Sequence, residues 1–75
     1  MALITQLKQG YKNKESVHKK IEGSYFIVIG KNGKKYLQID TYGSEDREYP
    51  GKVSQSIQFS SEAIKQLKEI LANLF

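Results

Sequence analysis

The chain contains no cysteine, which excludes a disulfide framework and a thiolate metal site. It has one histidine, His18, so a histidine metal cluster cannot form. Long apolar runs are also missing. The longest, Tyr25 to Ile29, is far too short to span a bilayer. The start, Met1-Ala2-Leu3-Ile4-Thr5-Gln6, shows neither the basic leader nor the long apolar stretch of a signal peptide. A soluble cytoplasmic protein with no cofactor is the default expectation. Seventy-five residues make one small domain whose own core is marginal, and without disulfide or metal staples self-association is a natural source of stability.

Acidic residues are scarce in the first half. Residues 1–35 hold eight lysines against Glu15 and Glu22, a balance of +6; residues 36–75 hold four basic residues against six acids, a balance of −2. The asymmetry predicts a basic surface contributed by the first half, and such a surface attracts phosphates through counterion release. The plainer reading is that the lysines keep a small domain in solution.

What is present is alternation followed by helical periodicity. Leu3, Ile4 and Leu7 have helical spacing, which predicts a short helix within a basic N-terminal segment, residues 1–20, closed by Gly10. Val17, Lys19 and Ile21 alternate, so a strand is expected to start near Val17 and reach Glu22. Tyr25-Phe26-Ile27-Val28-Ile29 is the clearest strand, aromatic and β-branched. Gly30-Lys31-Asn32-Gly33-Lys34 follows, and Asn-Gly is a strong signal for a two-residue type I′ hairpin. With Asn32 and Gly33 at the turn centre, Lys31 faces Lys34, Ile29 faces Tyr36, Val28 faces Leu37, Ile27 faces Gln38, Phe26 faces Ile39 and Tyr25 faces Asp40.

That register predicts one apolar face, Phe26, Val28, Leu37 and Ile39. The other holds Tyr25, Ile27, Ile29, Tyr36, Gln38, Asp40 and Tyr42. A slip of one residue would exchange the faces of a strand. After a charged loop, residues 43–52, a third strand runs Val53 to Phe59, with Val53, Gln55, Ile57 and Phe59 on one side and Ser54, Ser56 and Gln58 on the other. Ser60 is the expected N-cap of a helix running to the last residue, with Glu62 in its first turn. Ala63, Ile64, Leu67, Ile70, Leu71 and Leu74 form its apolar stripe. The fold class expected is α+β: a curved antiparallel sheet of three or four strands with one C-terminal amphipathic helix across a face, in a single domain over residues 1–75. Phe26, Val28, Leu37, Ile39, Ile57 and Phe59 are the expected core, against Ile64, Leu67, Leu71 and Leu74.

No enzyme constellation emerges. A nuclease-like use of Asp40, Asp46 and Glu48 beside Lys52 would need carboxylates converging on one point, whereas Asp40 lies in a strand and the others in a loop. Gly30-x-x-Gly33 precedes no helix, so it is a hairpin signal and not a phosphate loop. The tyrosine-rich face is the better candidate, because aromatic rings on a sheet are sequence-tolerant platforms for bases. Lysines beside it would follow the backbone. The expected nucleic-acid-binding residues are Lys19, Lys20, Tyr25, Lys31, Lys34, Lys35, Tyr36, Tyr42, Arg47 and Lys52. The alternative is a small adaptor or inhibitor that binds a protein through the same face.

The chain resembles the PC4-like transcriptional coactivator domains over about residues 25–72. The likeness rests on Gly33-Lys34, on Leu37-Gln38-Ile39-Asp40-Thr41-Tyr42, on Pro50-Gly51-Lys52 and on Gln66-Leu67-Lys68-Glu69-Ile70. It implies four antiparallel strands before one helix, a homodimer, and a grip on extended single-stranded DNA by basic and aromatic strand residues. Lys34, Lys35, Tyr42 and Lys52 would then have such roles. The family tends to place a basic residue where Asp40 stands and a further aromatic where this chain has Gly43. The chain also resembles small bacterial and phage proteins, a likeness that implies no function. From residues and resemblance together, the expected function is non-catalytic binding of single-stranded DNA or RNA by a homodimer.

Overall fold

A computed structural model describes residues 1–12, 16–42 and 53–75. Four strands and one helix follow in the order β1 (Ala2–Ile4), β2 (Gly23–Ile29), β3 (Lys35–Tyr42), β4 (Val53–Phe59) and α1 (Ser61–Leu74). The strands form one sheet in the order β1-β4-β3-β2. β2, β3 and β4 are antiparallel neighbours, while β1 runs parallel to β4 with Ala2 opposite Ile57 and Ile4 opposite Phe59. The fold is α+β, with a mixed sheet in place of the wholly antiparallel one expected. The first strand also departs from the four antiparallel strands that the family resemblance implies.

Two expectations for the N-terminal third fail. Residues 2–4 are a strand, not the start of a short helix, and residues 16–22 form no strand. Leu3, Ile4 and Leu7 are too few to hold a helix without tertiary help. The edge of β4 offers that help to an extended chain instead. Ser60 N–H bonds Ile4 O at 3.0 Å, continuing the contact past the ladder. Beyond it, Gln66 of α1 serves as a surrogate strand neighbour. Its Oε1 accepts from Leu7 N–H at 2.8 Å and its Nε2 donates to Leu7 O at 3.2 Å.

The β2–β3 hairpin forms, but its register differs from the expected one by one residue. Ile29 pairs with Lys35, Val28 with Tyr36, Ile27 with Leu37, Phe26 with Gln38 and Tyr25 with Ile39. The cause is the turn. Gly33 N–H bonds Gly30 O and Gly30 N–H bonds Lys34 O, both at 2.9 Å, so three residues lie in the loop. Only Gly33 has positive φ, at 78°, and neither Lys31 nor Asn32 does. That excludes a type I′ turn and matches the three-residue hairpin in which a left-handed glycine follows a type I turn. The Asn32 side chain supports it, with Oδ1 accepting from Lys34 N–H at 2.9 Å. Lys34 therefore faces Gly30, not Lys31.

The extra loop residue exchanges the two faces of β2. Tyr25, Ile27 and Ile29 now share a face with Leu37, Ile39, Ile57, Phe59 and Ile4. Helix α1 lies on this side, where Ile64, Lys65 and Lys68 border a groove with Ile27 and Leu37. Ser60 caps the helix as expected, its hydroxyl accepting from Ala63 N–H at 3.2 Å. Cover is incomplete. Ala63 is the buried apolar residue among those described, and Ile27, Ile29, Ile39, Ile57, Leu71 and Leu74 are exposed. The expected core is thus corrected: Phe26 and Val28 lie on the other face, Ile39, Ile57, Leu71 and Leu74 are exposed, and Leu37, Phe59, Ile64 and Leu67 are only half-buried.

Candidate nucleic-acid interface

The face without the helix is built in rows across the strands. Leu3, Gln58, Gln38 and Phe26 form one row through all four strands; Ser56, Asp40 and Ser24 form the next. Tyr36 and Val28 flank the first row, and Tyr42 lies beyond the second, opposite Val53 where the β3–β4 register shifts. β3 has the parity expected from its alternation. Polar side chains thus occupy the middle of the open face, with aromatic groups on both sides.

These groups are tied together. Gln58 Nε2 donates to Gln38 Oε1 at 2.9 Å, and Gln38 Nε2 donates to Asp40 Oδ1 at 3.0 Å. The chain of amides fixes the direction of each side chain, because each Nε2 has a defined acceptor for one of its two N–H groups. Tyr42 Oη donates to Ser24 Oγ at 3.0 Å, holding the ring across β2. Tyr36 sits against the hairpin: a Cβ at Gly30 would lie 3.0 Å from its Cε1, and Asn32 Nδ2 donates to its hydroxyl at 3.3 Å. Phe26 is 45 % exposed with no polar atom to hydrate.

Of the expected site residues, the structure brings Tyr36 and Tyr42 to the open face and sets Lys31 and Lys34 in the hairpin loop at its end. Tyr25 is 75 % exposed but lies on the helix side. Lys35 is also on that side, opposite Ile29, and borders the groove beside α1. Lys19 and Lys20 are exposed in the irregular segment before β2. Arg47 and Lys52, with the acidic loop, lie outside the described residues. Phe26, Gln38, Gln58 and Ser56 were not among the expected site residues. The parities of β3 and β4 already put the glutamines on one face, so that pair was legible; Phe26 was not, because the turn length decides its side.

Among the described residues no three His, Asp or Glu side chains converge as a metal site, and none of the described helices is long and apolar enough to cross a membrane. Comparison with protein-family models, with curated proteins and with solved structures finds no match.

Proposed function

We propose that this chain binds single-stranded nucleic acid, without catalysis, on the open face of its sheet, and that it does so as a homodimer in the cytoplasm. The observation that carries the reading is Phe26. A large apolar ring stands exposed in a row with two amides, between Tyr36 and the Tyr42–Ser24 pair. A flat ring beside fixed amides suits unpaired bases, which stack on aromatic groups and offer hydrogen-bonding edges. Lys31 and Lys34 at the loop supply charge where a phosphate chain would leave the face.

The homodimer rests on the opposite side. Ile27, Ile29, Ile39 and Ile57 are exposed apolar groups on that side, with Leu71 and Leu74 exposed on α1, and a second copy covers them while leaving the open face clear. The same apolar surface favours the second reading, a protein adaptor, since uncovered aliphatic groups mark protein contacts.

Titration with labelled single-stranded and duplex oligonucleotides at two salt concentrations tests the proposal. Single strands should bind at low salt and weaken steeply as salt rises, and duplex should bind less well. No single-strand binding at low salt would leave the adaptor reading.

A further inference from the structure

Asp40 is an unusual residue for a surface that meets phosphates. It is only 6 % exposed, and a buried carboxylate is costly unless hydrogen-bonded or paired. It lines a concavity of about 380 Å³ with Met1, Ala2, Leu3, Gln38, Val53, Ser56 and Gln58, Met1 carrying the chain's amino terminus. No lysine or arginine side chain is among the described residues lining that space. Gln38 Nε2 takes one acceptor position on Oδ1, and a carboxylate has about four. The amide chain from Gln58 through Gln38 holds the acid in place. The site is therefore an oriented acceptor in the lining of a recess with amide, hydroxyl and apolar walls.

We infer that this recess reads a base that presents two adjacent N–H donors, which among the common bases is guanine through N1–H and the N2 amino group. Paired donors match the two oxygens of one carboxylate, and single-stranded bases are read on this edge. The carboxylate disfavours a phosphate in the recess, so a strand lies with its base inward and its backbone outward. Ser56 and the Gln58 side chain border the rest of the ring. The inference rests on the proposed single-strand binding and adds a base preference to it.

The test uses the whole chain and fluorescence anisotropy with three short oligothymidylates. One carries a central guanine, one a central inosine, which lacks the N2 amino group, and one thymine throughout. The expected result is binding about tenfold tighter for guanine than for inosine or thymine, the discrimination of a good two-bond contact. Asp40→Asn replaces one acceptor with a donor and should remove most of that preference, with circular dichroism showing a folded chain. Should this variant not fold, the guanine-to-inosine comparison on the unaltered protein decides alone. Equal affinity for the three oligonucleotides overturns the base preference and leaves single-strand binding intact. A preference that survives in folded Asp40→Asn overturns the role of Asp40. No binding of any oligonucleotide at low salt overturns both, and arginine peptides that bind in their place would assign the recess to a protein partner.

Discussion

Ser60 shows how much one residue does in a domain with so little core. Its hydroxyl satisfies Ala63 N–H at the start of α1, and its backbone N–H reaches Ile4 O to hold β1. Ser60→Ala should cost about 1 kcal/mol for the lost cap, read as a lower denaturant midpoint. Glu62, two residues on, has its carboxyl held below the ordinary 4.5, first by its own backbone N–H, then by the Ser60 hydroxyl, with a smaller pull from Lys34 against slight desolvation. A lowered folded-state value means that this stabilisation is complete above 4.5 and is lost as pH falls through the lowered value. Glu62→Gln should accordingly make stability fall less than in the parent between neutral and acid pH. An unchanged pH profile would show that the carboxyl has no such partners in solution. At the hairpin, Lys31→Gln with Lys34→Gln should weaken single-strand binding at low salt and flatten its salt dependence by about 0.7 per lost phosphate contact. A slope equal to the parent's would remove these lysines from the interface.

Among the elements, the hairpin explains which parts of the fold were legible. Alternation marked β2, β3 and β4, and the Ser60 cap with its apolar stripe marked α1, because each signal is local. The register of β2 was not legible. Asn32-Gly33 fits a two-residue turn, yet Gly30, free of a side chain, closes a three-residue one with only Gly33 at positive φ. That single residue moved Phe26 to the open face and Tyr25 to the helix side. Deleting Lys31 is informative here. It leaves Gly30 and Lys34 joined by Asn-Gly, a favoured two-residue loop, with every strand partner unchanged. Thermal stability should be retained, whereas a large loss would contradict the observed register. β1 was also not legible, because its structure comes from distant partners, β4 and the Gln66 amide. Gln66→Ala should increase hydrogen exchange at Leu7 more than at β3, since both hydrogen bonds from Leu7 to α1 go to one side chain.

At the scale of the whole molecule, the proposed function assigns the two sides of the sheet separate roles. The helix side leaves apolar groups only partly covered, and it should join a second copy. Sedimentation at micromolar concentration should show a dimer of the 8.6 kDa chain, and Leu74→Ala, at a position 71 % exposed, should weaken it while scarcely altering a monomer. A monomer alone at high micromolar concentration would remove the dimer. The open face should hold the ligand, and residues 25 and 26 separate the two roles most directly, being neighbours in sequence and opposite across the sheet. The decisive measurement is an anisotropy titration of a single-stranded oligonucleotide with the parent, Phe26→Ala and Tyr25→Ala, at low and moderate salt. Loss of a stacked base should weaken binding for Phe26→Ala by about 1–3 kcal/mol at both salt concentrations, with Tyr25→Ala close to the parent. Equal losses in the two variants, or no binding by the parent at low salt, would contradict the assignment of the open face to single-stranded nucleic acid.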